Sequence, residues 1–293
     1  MIKESVAQFK EKTKNSAFKA VLRLPPDSCI FRFVLVVFTF WTAYLSRKRI
    51  ANLLKYKKAV NNTEGNIRFL FKCYFRKSYD RIFPHLLAEN PGKYLKYVRM
   101  EGEEHIKRFK ENNTGVIVLS GHFGPAFRTL LFKEVYSMPV STFVDSSYKI
   151  KVCNSPAKLY RINSSFPYYG VGEEKQFREA LQRGEWINFL NDVPLMKKRD
   201  SQNIAILGQR VFLSELPFKV SVNDNIPILF IGVTLKKLRY TVSALPMDKF
   251  DTQKNGLGKY LLLIENVLRA DHYSGIYIGE NHFKISPSAS RQN

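Results

Sequence analysis

His122 is the residue best placed to do chemistry. It follows an apolar run, Gly115-Val-Ile-Val-Leu119, and the pair Ser120-Gly121, and it precedes Phe123-Gly124-Pro125. An imidazole takes and returns a proton near neutral pH. A lone histidine is most often a packing residue, but a buried strand opening onto Gly-His-x-Gly is an unusual place for one. Gly121 and Gly124 carry no Cβ and let backbone approach a ligand. Two carboxylates, Asp145 and Asp192, end apolar runs of the same kind, residues 139–145 and 186–192. The alternative for each is a turn residue at a strand end. Arg128, Lys158 and Arg161 are the nearest basic residues in sequence, and a solvated helix face is the favoured reading of Arg161.

The elements that must position these groups follow from periodicity. Residues 115–119 read as a buried strand, and Pro125 suits the first turn of a helix over 126–136. Strands are expected at 94–100, 139–145, 186–192, 226–235 and 239–245, with 166–170 extended and a hairpin or loop insert at 204–213. Helices are expected at 66–87, 103–110, 154–163, 173–183 and 256–270, with one from the cap residue Ser214 to about Val222. Gly184 stands where helices end on a left-handed residue. Strand, helix and strand at this spacing predict an α/β fold, a mostly parallel central sheet flanked by helices. Such a sheet gathers its loops and helix N-termini at the strand ends.

The first sixty residues have a different character. Thirteen lysines and arginines against three acids leave +10 there, out of a formal net charge of +22 for the 293 residues. Residues 2–24 read as a basic amphipathic helix that Pro25-Pro26 stops. The run from Phe33 to Leu45 is apolar for 13 residues and is followed by Arg47-Lys48-Arg49. A spanning helix needs about 20 residues, so the run predicts a monotopic segment with its basic flank on anionic headgroups. A core helix of the globular domain is the alternative; a signal peptide fits poorly, because the run starts late and no cleavage site follows it. The expected organisation is N-terminal membrane-anchoring helices over 1–60, an α/β domain over 61–283 and a disordered tail over 284–293.

The positive field favours anionic partners: phospholipid headgroups, nucleic acid or an acidic carrier protein. The basic excess beside an apolar run suits a membrane surface better than a phosphate backbone, so no nucleic acid is expected. Cys29, Cys73 and Cys153 fit no disulfide or metal spacing, and neither do the five histidines, so no metal is expected and a reducing, cytoplasm-facing location is the simplest reading. The 23 phenylalanines and 15 tyrosines cluster partly in 66–87, where an aromatic stripe reads as core.

Ser120-Gly-His-Phe-Gly124 resembles the histidine block of the lipid A biosynthesis (lauroyl/myristoyl) acyltransferases, within the lysophospholipid acyltransferase superfamily. The order downstream is similar over roughly residues 18–280: Leu181-x-x-Gly184, a strand ending in Asp192, a turn at Gly208, a helix, and a strand at Pro227. The family motif puts Asp or Glu five residues after the histidine. That position here is Phe127, and the next acid is Glu134. By analogy with the Ser-His-Asp site, loss of an orienting acid costs about 10⁴ in rate.

The resemblance implies a membrane-associated acyltransferase at the cytoplasmic face of a bacterial inner membrane. It would move a fatty acyl group from an acyl carrier protein or coenzyme A thioester to a hydroxyl or amine of a lipid or glycolipid, with no permanently bound cofactor. His122 would be the general base. Asp192 or Asp145 would supply the missing carboxylate, Asp192 being favoured because the family has an Asp there. Gly121, Gly124, Arg128, Arg161 and Gly208 would bind substrate. The alternative is a catalytically inactive, lipid-binding or scaffolding member of the same fold.

Overall fold

The computed structural model describes residues 24–121, 131–132, 135–138, 140–144, 168–170, 172–191, 201–247 and 249–282. Helices are α1 (Cys29–Leu45), α2 (Ile50–Ala59), α3 (Asn66–Glu89), α4 (Pro91–Tyr94), α5 (Glu103–Glu111), α6 (Glu174–Gln182), α7 (Leu216–Asp224), α8 (Gln253–Ala270) and α9 (Ile276–His282). Strands are β1 (Val98–Glu101), β2 (Val116–Ser120), β3 (Val140–Val144), β4 (Tyr168–Gly170), β5 (Trp186–Leu190), β6 (Ser201–Ile206), β7 (Gln209–Ser214), β8 (Ile228–Lys236) and β9 (Arg239–Met247).

Seven strands form one sheet in the order β1-β9-β8-β2-β5-β3-β4, while β6 and β7 pair as a separate antiparallel ribbon. From β8 to β4 neighbours are parallel; β9 is antiparallel to β8, and β1 is parallel to β9. The fold is therefore α/β with a mostly parallel sheet. Every residue of β2 is buried, which is why it reads as an unbroken apolar run rather than an alternating one. Val116 and Val118 pack into one core, with α5, the second half of α3 and Leu131, Phe132 and Tyr136. Ile117 and Leu119 pack into the other, with α6, α7 and α8.

α3 belongs to both cores: Phe69, Cys73 and Tyr74 enter one, Tyr79, Ile82 and Phe83 the other. Between these sets it carries charge inward. Arg76 pairs with Asp80 at 2.8 Å and with Asp271 at 2.5 Å; Tyr240 donates its hydroxyl to Asp80 at 2.6 Å, and Asp271 also accepts the Leu235 amide. The Arg76 Nη2 makes no hydrogen bond, but the guanidinium lies 5.4 Å from the Tyr240 ring centroid. Lys77 pairs with Glu280 at 2.5 Å, and Arg49 reaches the same carboxylate at 3.1 Å. Burial raises the Asp80 pKa against the pull of Arg76, and burial lowers that of Lys77 against Glu280. Unpaired, either charge would be costly there.

Within the described residues the expected elements appear with shifted bounds and three changes; of the helix expected at 126–136 only residues 131–132 and 135–136 are described. Residues 91–97 are helical turns rather than strand, because the Asn90 side chain caps the Lys93 amide and Pro91 sits in the first turn. Ser214 does not cap α7: Glu215 holds that position, and the Ser214 hydroxyl accepts from Leu216 instead. The boundary expected at residue 60 does not divide the core, since Phe31 and Leu35 of α1 and Leu53 and Tyr56 of α2 are fully buried in it. α1 is buried on one side only: Phe31 and Leu35 face inward, while Phe33 and Phe40 are exposed. Among the described residues no single helix is long and apolar enough to cross a membrane, and α1 meets the helical stretch Arg47–Ala59 at 68°. Gly184 is left-handed as expected, at φ 88°. The helices expected at 2–24 and 154–163 and the tail over 284–293 lie outside the described residues.

Gly115 is required by close approach: a Cβ there would stand 1.8 Å from the Leu181 carbonyl oxygen. No rotamer relieves overlap with backbone, so Gly115→Ala should cost about 3 kcal/mol and lower the Tm by about 6–12 °C. Gly258→Ala, in open space on α8, should raise stability by about 0.5–1 kcal/mol; thermal scans of both variants check this. A second expectation concerns pH. Burial would raise the Glu64 pKa, but hydrogen bonds from Lys72 and Tyr273 outweigh it and hold the carboxyl below its ordinary 4.5. Its contribution is therefore complete above that value and is lost as pH falls through the lower folded pKa. Glu64→Gln should be less stable at pH 7 by about 0.5–1 kcal/mol, and denaturant midpoints of the two proteins should converge as pH falls below the ordinary carboxylate range.

Candidate active site

The parallel strands end together at one edge of the sheet. Leu119 is in register with Phe189, and Phe189 with Phe143, so β2, β5 and β3 finish nearly level, with β5 in the middle. His122, Asp192 and Asp145 each come one or two residues after one of these ends. Those three residues, with Gly124, Phe127, Arg128 and Arg161, lie outside the described residues. The strands that carry the chain to this edge form its frame.

That frame has a topological switch. The chain leaves β2 toward β3 through helical residues 131–132 and 135–136, where Leu131, Phe132 and Tyr136 join the α3-side core. It leaves β5 toward β8 through the ribbon and α7, and Phe218 of α7 joins the opposite core. Neighbouring strands thus send their connections over opposite faces. In open α/β sheets ligands bind in the crevice that such a divergence opens at the carboxyl ends.

The strand ends are locked together by polar groups. The Ser120 carbonyl accepts two hydrogen bonds, from the Asn191 amide at 2.9 Å and from the Tyr260 hydroxyl at 2.9 Å. The Ser120 hydroxyl donates to the Asn188 amide oxygen at 3.0 Å. The Asn191 side chain copies a strand pairing: it accepts from the Ser214 amide at 3.0 Å and donates to the Ser214 carbonyl at 3.1 Å. One knot therefore joins the ends of β2, β5 and β7 to α8. Ser120, Asn191 and Ser214 are buried, so each bond replaces one that water cannot supply. Gly121, buried, follows directly from this knot.

Gly208 lies in the exposed turn of the β6–β7 ribbon. Leu207 and Gly208 have φ of 50° and 75°, a two-residue turn with both residues left-handed, and the Leu207 amide donates to Glu265 of α8. The turn itself accounts for the glycine. Among the described residues no group of three His, Cys, Asp or Glu side chains is arranged to hold a metal.

The sequence marks Ser214 only as a helix cap, and it marks Asn191 and Tyr260 for no polar role. Asn188 carries a signal, because a polar residue inside Trp186-Ile-Asn-Phe-Leu190 needs a buried partner. Tyr260 carries none, since its partner is 140 positions away.

The knot predicts graded losses. Asn191→Ala strips both bonds from Ser214 and leaves its buried amide and carbonyl unpaired, at about 2–4 kcal/mol. Tyr260→Phe removes one of two donors to the Ser120 carbonyl, at about 1 kcal/mol. Urea midpoints at fixed slope measure both.

No protein-family model matches the chain, and no curated protein matches it either.

Proposed function

We propose that the chain is a membrane-associated acyltransferase with His122 as its general base. The observation that carries this reading is the meeting of β2, β5 and β3 at one carboxyl edge, with a histidine and two aspartates next in sequence. The resemblance of Ser120-Gly-His-Phe-Gly124 to lipid A biosynthesis acyltransferases supplies the reaction class. The donor is a fatty acyl thioester on an acidic acyl carrier protein or coenzyme A. The acceptor is a hydroxyl or amine of a lipid or glycolipid.

In this reading His122 removes the acceptor proton as the acceptor oxygen or nitrogen attacks the thioester carbonyl. Backbone amides near Gly121 and Gly124, with Arg128 or Arg161, hold the oxyanion. Collapse of the tetrahedral intermediate expels the thiolate, which recovers the proton from the imidazolium. An ester or amide and a free thiol result. With Phe127 in place of an acid, Asp192 or Asp145 orients the ring. The polar knot beneath the edge supports this division of labour, since a fixed β2 end and β5 end hold base and carboxylate on rigid neighbours.

The test is acyl transfer from carrier-protein and coenzyme A thioesters to membrane lipid extract, followed by mass spectrometry. His122→Ala should lower transfer by about 10²–10⁴, and Asp192→Asn or Asp145→Asn by a comparable factor. Phe127→Glu should change little, because the ring nitrogen already has its partner. Lipid binding by the wild type without transfer would point to a scaffold, and transfer that survives His122→Ala would defeat the assignment of the base.

A further inference from the structure

The N-terminal helices present a surface that the strand ends do not use. α1 is apolar nearly all round and contains no carboxylate. Phe31 and Leu35 pack inward, while Phe33 is 70% exposed, Trp41 58%, and Val37 and Phe40 more than half. At 100° per residue these exposed positions form one stripe, opposite the packed face. The stripe continues onto a second helix. Phe71 of α3 lies with its ring centroid 6.0 Å from that of Phe40, and Ile67, one turn earlier, is 87% exposed. The aromatic stripe of α3 is thus core only in part.

The rim of this patch is basic and amphipathic. The Arg47 guanidinium lies 4.5 Å from the Tyr44 ring centroid at the end of the stripe, and Tyr44 stands 6.2 Å from Trp41. Lys48 is exposed beside Arg47, and the Arg68 side chain, next to Ile67, is 73% exposed and lies 3.5 Å from the Glu64 carboxylate. A soluble surface rarely leaves so large an apolar patch uncovered. Cations at the rim, with tryptophan and tyrosine between them and the apolar centre, match the layering of a bilayer interface.

We infer that α1 and the first turns of α3 form one platform that docks flat on an anionic phospholipid bilayer. The rings enter the boundary between headgroups and acyl chains, and Arg47, Lys48 and Arg68 sit on the phosphates. The charge of the rim favours a lipid surface over an apolar protein face. The packed side of α1 holds it along the domain surface, and the 68° bend to the next helical stretch turns the chain away from the bilayer. This gives the membrane association in the proposed function a surface made of two helices, and it does not depend on the acyl-transfer chemistry.

Trp41 makes the test direct, because the second tryptophan, Trp186, is 2% exposed. Full-length protein is mixed with vesicles of phosphatidylcholine alone or with added phosphatidylglycerol. The wild type should sediment with the anionic vesicles, and less so in high salt. Its Trp41 emission should shift to the blue and be quenched by lipids brominated near the headgroup. Replacing Phe33 and Phe40 with Ser should lower partitioning about tenfold or more. Ile67→Ser with Phe71→Ser should lower it similarly, which a single-helix anchor would not require. Arg47→Gln with Lys48→Gln should lower it about tenfold or more and flatten the salt dependence. His122→Ala should bind like wild type. Equal binding to neutral and anionic vesicles, or binding untouched by the platform changes, would overturn the inference. So would a dimer that Phe33→Ser with Phe40→Ser splits, or a Trp41 already shielded from iodide without lipid. Transfer without vesicle binding sinks the platform alone, and binding without transfer sinks the catalytic reading alone.

Discussion

A strand buried on both faces has no water to satisfy its last carbonyl, and β2 meets that constraint at Ser120. The amide of Asn191 and the hydroxyl of Tyr260 both turn to this oxygen. Because β2 stands in the middle of the sheet, between β8 and β5, the need is met from the neighbouring strand and from one of the two cores. Asn191 extends the end of β5, and Tyr260 rises from α8 across the face that also receives Ile117 and Leu119. The edge where the candidate chemistry lies is therefore set by an obligation of the backbone, before any catalytic requirement enters. A histidine two residues beyond such an anchor inherits a fixed point of departure.

A second constraint ties the N-terminal helices to this frame. α3 carries Arg76 and Lys77 side by side into the interior, and both reach acids near the C-terminal end, Asp271 and Glu280. Isolated pairs of this kind contribute little net stability, because desolvation offsets their attraction. Their effect is on geometry: removing either partner strands a buried charge, so the register of α3 against the end of the chain is held. Thr39 and Thr42 are buried where α1 meets α3, and Ser78 donates to the Thr42 hydroxyl at 3.1 Å. These small residues let the two helices approach closely. α1 is then seated with one apolar face used and the other left over. The surplus face follows from an apolar helix having more apolar circumference than one neighbour can cover.

Element types were legible in the sequence because they follow local periods. Residues 115–119, 186–192 and 226–235 read as strands from mainly apolar runs, and α6 and α8 from their 3.6-residue spacing. Gly184 announced the end of α6 because a left-handed residue has few alternatives to glycine. Where the reading failed, as at 94–97, a local cap at Asn90 and Pro91 overrode the strand preference of the tyrosines. Of the candidate site, the sequence offered an imidazole and two carboxylates after strand-like runs.

What the sequence determined by itself was thus the list of elements, the basic and apolar character of the N-terminus, and the residues able to move a proton. Only the tertiary structure decided that β5 lies between β2 and β3 and that the connections diverge over opposite faces. It also decided which side of α1 is covered, and which aromatic residues of α3 face outward rather than into the core. The physical reason is separation along the chain. Periodicity, caps and turns act over a few residues. Strand order, the partners of the Ser120 carbonyl and the ion pairs of Arg76 and Lys77 join positions about 70 to 200 apart, and their energies exist only once the two cores have closed.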